Sequence, residues 1–260
     1  MTFRSHCSAV RAALPTALLV LGLAPGAQAA EIRVLAAGAA KAAMEQVAPQ
    51  FERATGHTVH ASYDTVGAQR DRVLKADAGA VADVVILSDS AIAQLRSASR
   101  LTGAAALPIG QVAVSLAVPH GAPVPDISSA AALKQALENA PTLAYADPAR
   151  GATAGTHFDK VLQQLGLKDS LAARITVLPF GVDVIKDVSV GKYAVGVSQS
   201  SEILQHEGIT MVGPLPAPYA LTTGYSAAAA SALPAAQALL DFLAQPPALQ
   251  RFRASGFLAQ

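Results

Sequence analysis

Four short stretches of this sequence place small residues where an apolar run hands over to a helical pattern. Gly38-Ala39-Ala40-Lys41 follows "EIRVLAA", and Thr65-Val66-Gly67-Ala68 follows "TVHASYD" and leads to Arg70 and Arg72. Gly151, Thr153, Gly155, Thr156 and His157 follow "TLAYA", and Phe180-Gly181-Val182-Asp183 follows "ITVLP". Such junctions offer binding rather than covalent chemistry. The first amides of a helix have no intrahelical acceptor, and the helix dipole puts positive potential at the same end. Small side chains let an anion reach those amides. Junctions that converge on one cleft therefore make an anion site that needs no net positive charge.

Sharper chemistry has little support. Gly196-Val197-Ser198-Gln199-Ser200 lacks the second glycine of a nucleophile elbow, and neither a P-loop nor a dinucleotide fingerprint occurs. His57 and His60 are three apart in a strand-like run and point to opposite faces, so they do not share a metal. Lys41 and Asp183 read as surface or capping charges, and Tyr219 and Tyr225 as hinge packing. The expectation is a binding protein without metal or cofactor, not an enzyme.

The elements that must position these junctions are short apolar runs alternating with helix-length patterns. "EIRVLAA", "TVHASYD" and "ADVVIL" read as strands. The helices between them cover 39–55 and 67–76, and a third starts at Ala91 behind a Ser90 cap. This order predicts α/β architecture with mostly parallel sheets and right-handed crossovers. "LPIGQVAVSLAVPHGAPVPD" breaks the rhythm and reads as a crossing into a second lobe. That lobe has helices over 128–139, 153–165 and 183–190 and strands "TLAYA", "ITVLP" and "YAVGVS". "GPLPAPYALTTGYSAAAA" reads as the return crossing, and two helices close the chain. The expected division is 31–110 plus 217–260 for the first lobe and 111–216 for the second. A ligand would sit between the lobes, at the carboxyl ends of the strands.

Residues 1–30 read as a secretory signal peptide. Arg4 and Arg11 precede an apolar run from Ala12 to Leu23, and Ala27-Gln28-Ala29 offers a small-residue cleavage site. The expected location is the periplasm. The one cysteine, Cys7, falls inside that segment, so thiol chemistry is not expected of the remainder. Removing Arg4 and Arg11 leaves 17 basic residues against 18 acidic, a balance that gives nucleic acid no basic field.

At these junctions the sequence resembles the periplasmic molybdate-binding protein family of ABC importers. "VLAAGAAKAAMEQVAPQFERATG", "SYDTVGAQRDRVLKADAGAVADVVILSD" and "ADPARGATAGTHFDKVLQQLGL" carry the resemblance over nearly the whole mature chain. It implies a two-lobed type II periplasmic-binding fold, a small anionic ligand, an ABC permease as partner and a monomer. That family places serines where Ala39, Val66 and Gly67 stand, and a tyrosine where Ser198 or Gln199 stands. A tetrahedral oxyanion loses those donors, at about 1–3 kcal/mol per missing hydrogen bond. Thr65, the Gly67 amide, Arg70 or Arg72, Thr153, Thr156 and His157 suit a carboxylate better, because an arginine fork matches a planar carboxylate. Ala39, Ala40, Gly155, Gly181, Val182 and Ser198 complete the expected lining. The favoured ligand is a di- or tricarboxylate, with a molybdate-type oxyanion as the alternative and a secreted enzyme on this fold as the remoter one.

Overall fold

The computed structural model describes residues 1–2, 29–76, 81–103 and 105–258. The charged and apolar parts of the expected leader, with Cys7, lie outside the described residues. The first sheet begins with β1 (Glu31–Ala37), which is buried on both faces from Val34 onward. α1 (Lys41–Thr55) follows a single 3-10 turn at Gly38–Ala40. It buries Ala43, Met44, Val47 and Phe51 at helical spacing, and left-handed Gly56 ends it. β2 (Thr58–Asp64) lies parallel to β1, and the register pairs Ala37 with Asp64. That pairing sets the first two junctions side by side at one sheet edge.

α2 (Val66–Lys75) leads to β3 (Val84–Ser88), which is wholly buried and parallel to β1. α3 (Asp89–Ser97) starts earlier than its sequence suggests. Ser88, not Ser90, caps it by accepting from the Ala91 amide at 3.4 Å. β4 (Leu107–Pro119) is longer than the expected strand and passes through both sheets. Its first half pairs with residues 222–227 in the first sheet, and its second half with residues 196–199 and 209–214 in the second.

The second sheet receives α4 (Ala130–Asn139), β5 (Leu143–Ala146), α5 (Thr153–Gln164), β6 (Ile175–Leu178) and α6 (Gly181–Ser189). β7 (Val195–Gln199), the short α7 (Ser200–Ile203) and β8 (Ile209–Pro214) complete it. β5 and β6 pair in parallel with Ala146 opposite Leu178, which sets the third and fourth junctions side by side as well. β9 (Thr222–Ala229) is a strand where the sequence suggests only a crossing. Its alanines have weak strand preference, but antiparallel pairing with β3 and β4 buries Ala227 and Ala228 and overrides it. α8 (Pro234–Leu243) and α9 (Pro246–Ala254) then pack on the first sheet.

The strand order is β2-β1-β3-β9-β4-β7-β5-β6, with β8 on β4. One core runs from Ile32 to Val112 and from Tyr225 to Phe257, and a second from Val114 to Leu215. A smaller cluster around Val184, Ile185 and Ile203 lies under α6 and α7.

Candidate functional site

A cavity of about 220 Å³ lies between the two sheets, at the carboxyl ends of their parallel strands. All four junctions reach it, through Gly38 and Ala39, Thr65 and Val66, Thr153 and Ala154, and Gly181 and Val182. The sheet registers described above make this inevitable, because each pairs the ends of two strands whose next residues open helices.

The way those helices start is unusual. Serine, threonine, aspartate or asparagine is preferred as the N-cap, where its side chain accepts from a first-turn amide. Of the four, only α2 has such a cap, with Thr65 Oγ1 accepting from the Ala68 amide at 3.1 Å. The first turn at Gly38 is preceded by Ala37, α5 by Ala152 and α6 by Phe180, and none of these gives a side-chain cap. First-turn amides at three helix starts are left for another acceptor.

Four further polar side chains, Glu202, Tyr225, Gln199 and Tyr63, stand on the cavity wall. Glu202, on α7, is buried, with its carboxyl against the Cα atoms of Gly38 and Gly181, where an added Cβ would come within 2.8 and 2.2 Å of its oxygens. Its Oε2 accepts from Ser198 Oγ and, at 3.4 Å, from the Gln199 amide. Burial drives its titration upward against those two donors. Tyr225, on β9, is fully buried, and burial first, then the Glu202 charge, pushes its phenol up. Thr153 and Gln199 pull that phenol the other way. Gln199 and Glu202 hold the two positions of a capping box at the start of α7, yet neither side-chain amide atom of Gln199 reaches full hydrogen-bond geometry with any described residue. Gln199 is 3% exposed and lines the cavity, its side-chain amide close to the Glu202 backbone and the Tyr225 phenol. Across the cavity, burial and then Glu45 push the Tyr63 phenol up to about 12.

The mouth is held by contacts between the lobes. Thr65 Oγ1 donates to the Arg150 carbonyl, and the Gly67 amide donates to the Gly151 carbonyl at 3.2 Å. Arg150 pairs with Asp64 at 3.3 Å and stacks over the Phe180 ring at 4.8 Å. The one cation on the cavity wall among the described residues is Lys41, which also leans on Glu45 at 3.8 Å.

Of the residues expected at the site, Ala39, Thr65, Thr153, Gly181, Val182 and Ser198 line the cavity. The others have different work. Ala40 is buried beneath the first turn. Gly67 packs on Gly151 at the rim, and Gly155 lets α5 press on the Ala146 carbonyl, which an added Cβ would meet at 1.7 Å. The Thr156 amide is bound within α5 to the Ala152 carbonyl, and His157 Nε2–H donates to the Tyr219 carbonyl at 2.8 Å. Arg70 and Arg72 lie past the first turn of α2, on an outer groove, so neither presents a fork to the cavity. Arg70 pairs with Asp71 and Gln94, and Arg72 donates to Ser62. Glu202 and Tyr63 were not foreseen, Gln199 was named only as a place where the resemblance puts a tyrosine, and Tyr225 was expected only to pack. Tyr225 brings to the cavity, from β9, the kind of hydroxyl that the resemblance places at the end of β7.

The comparisons with known proteins agree with this architecture. A curated relative named aconitate isomerase, from a Pseudomonas species, is 32% identical over 234 residues, 86% of each chain. Among solved structures, a periplasmic thiamin-binding protein superposes with a TM-score of 0.70 at 16% identity, covering 88% of this chain and 84% of that one. The periplasmic molybdate-binding protein of Azotobacter vinelandii gives 0.68 at 21% identity, covering 88% and 99%. These likenesses establish the type II periplasmic-binding fold. The sequence model for bacterial extracellular solute-binding proteins matches residues 32–258, nearly everything after the expected leader, and the chain belongs to that family.

Proposed function

We propose that this protein is a periplasmic receptor that captures a small di- or tricarboxylate in the cavity between its sheets and delivers it to an ABC permease. The observation that carries the reading is the three helix starts without side-chain caps, converging on one cavity. Carboxylate oxygens satisfy such donors, and the carbon body of an organic acid suits walls that include Ala37, Val66, Phe180 and Val182. A volume of about 220 Å³ holds at least about seven waters at ~30 Å³ each, more than a tetrahedral oxyanion needs. The relative's name points to the same ligand class, since aconitate is an unsaturated tricarboxylate.

Thermal melting of the chain from Glu31 onward tests this. trans-Aconitate, citrate and succinate would be compared with molybdate, tungstate and sulfate. A ligand at a hundred times its Kd adds about 2.7 kcal/mol. Stabilisation by the organic acids alone is the expected outcome, and stabilisation by molybdate or tungstate alone would sink the reading.

A second reading keeps the ligand and adds turnover, an isomerisation by proton shift within the bound acid. The relative's name favours it, and so do Glu202 and Tyr225, two titratable groups on the cavity wall where a proton shift requires one. Incubation with trans-aconitate in heavy water decides it. Deuterium entering the carbon skeleton, or the cis isomer appearing, means turnover, and unlabelled trans-aconitate recovered alone from a protein that binds it means a receptor only.

A further inference from the structure

We infer that Glu202 couples anion capture to a proton: in the occupied cavity its carboxyl is protonated and donates through Oε1 to an oxygen of the ligand. The inference rests on the reading that the cavity takes a carboxylate. A helix-terminus anion site with a buried acid in its wall is otherwise contradictory, because two like charges in one desolvated space cannot both persist. Among the described residues no cation ion-pairs with Glu202; its hydrogen-bond donors are Ser198 Oγ and the Gln199 amide, and both go to Oε2. Oε1 lies against Gly38, at the first of the uncapped helix starts, with no donor of its own among those residues.

The surrounding ionisable groups do not relieve the conflict. On the cavity wall stand Lys41 on α1, Tyr63 and Asp64 at the end of β2, and Tyr225 on β9. Lys41 leans on Glu45, and Asp64 pairs with Arg150. α6 carries Asp183, Lys186 and Asp187, and His206 follows α7. Burial, then Lys41 and Lys186, hold His206 below its ordinary value, so it does not supply a cation at neutral pH. A proton on Glu202 removes the conflict and turns the acid into a donor. The Oε1–H, donated to a ligand oxygen, then stands in for the hydroxyl absent at Ala39. The direction of its titration, raised by burial, agrees.

Calorimetric titration with trans-aconitate from pH ~5 to pH ~9 tests the coupling, on the wild type and on Glu202→Gln. Wild-type affinity should hold at low pH and then fall about tenfold per pH unit once the unliganded acid ionises. The side-chain amide introduced by Glu202→Gln does not titrate, so the variant should lose that slope whatever its absolute affinity. Heats in buffers of different ionisation enthalpy count the protons taken up by the wild type and need no variant. A wild type with no slope, or a variant with the same slope, overturns the coupling and leaves the ligand class standing. Binding of molybdate or sulfate alone, with the slope present, overturns the ligand class and leaves the coupling. No anion bound at any pH overturns both.

Discussion

At the scale of single residues, the cavity wall contains two groups that a purely structural protein would avoid. The first is Gln199, buried with its side-chain amide short of full hydrogen-bond geometry among the described residues. An unsatisfied buried amide costs about 1–3 kcal/mol. Gln199→Met, close in shape and without that penalty, should raise the melting temperature of the ligand-free protein while weakening trans-aconitate binding. Paired melting and calorimetry measure both, and a variant that binds as well as wild type would remove Gln199 from the site. The second is Glu202. Its titration is raised in the folded state, so its contribution to stability is complete below the unfolded carboxylate value and is lost as pH rises through the folded value. Ligand-free wild type should therefore lose stability relative to Glu202→Gln as the pH rises, in parallel denaturant titrations. Ala39, Thr65, Thr153, Gly181, Val182 and Ser198 were legible in the sequence because each belongs to a strand-to-helix junction or to the end of a strand. Gln199 was read only as one of two places where the resemblance puts a tyrosine, and Glu202 was not legible, since the four-residue α7 shows no periodicity. Tyr225 reaches the site only because the register of β3 with β9 pairs it with Ser88, far away in sequence.

At the scale of elements, the alternation of strands and helices was readable because apolar period changes at each junction. What the sequence concealed was β9 and the length of β4, where pairing across the sheet outweighs local preference. Glycine also meant different things at different junctions. Gly155 is a packing residue: a methyl group there would overlap the Ala146 carbonyl. Gly155→Ala should destabilise the fold by about 1–3 kcal/mol, or more if α5 cannot move away. Chemical denaturation with and without ligand should show the loss in both states. Gly67 lies inside α2, where alanine is intrinsically better by about 1 kcal/mol. Its added Cβ would meet the Gly151 backbone at 2.7 Å, across the mouth. Gly67→Ala should therefore force the mouth apart, offsetting the helical gain in stability and reducing ligand affinity about tenfold or more, an affinity loss beyond that of Gly155→Ala.

At the scale of the whole molecule, two cores share one strand, β4, and the lobes meet again at the mouth through Asp64, Thr65, Gly67, Arg150 and Gly151. The first sheet has a further tie far from the cavity. Asp83 accepts from the Arg33 amide at 2.9 Å, from its guanidinium at 3.0 and 3.1 Å, and from Ser231 Oγ at 2.8 Å, which joins β1 to the segment after β9. Burial pushes the Asp83 carboxyl up, but these donors outweigh it and hold it below its ordinary value. Stability from this tie is present above the unfolded aspartate value, about 3.9, and disappears as pH falls through the lower folded value. Asp83→Asn should flatten the acid limb of the stability–pH curve, as melting in acidic buffers would show.

The helix starts without side-chain caps have a consequence for time as well as for affinity. An amide with no internal acceptor exchanges its hydrogen with solvent quickly, whereas one held by a bound oxygen exchanges only when that oxygen leaves. The peptides holding Gly38–Ala39, Thr153–Ala154 and Gly181–Val182 should therefore be the ones in which deuterium uptake slows on adding ligand, in step with one another. Their common rate would report how long a captured anion stays, read from the backbone of a protein that carries no label.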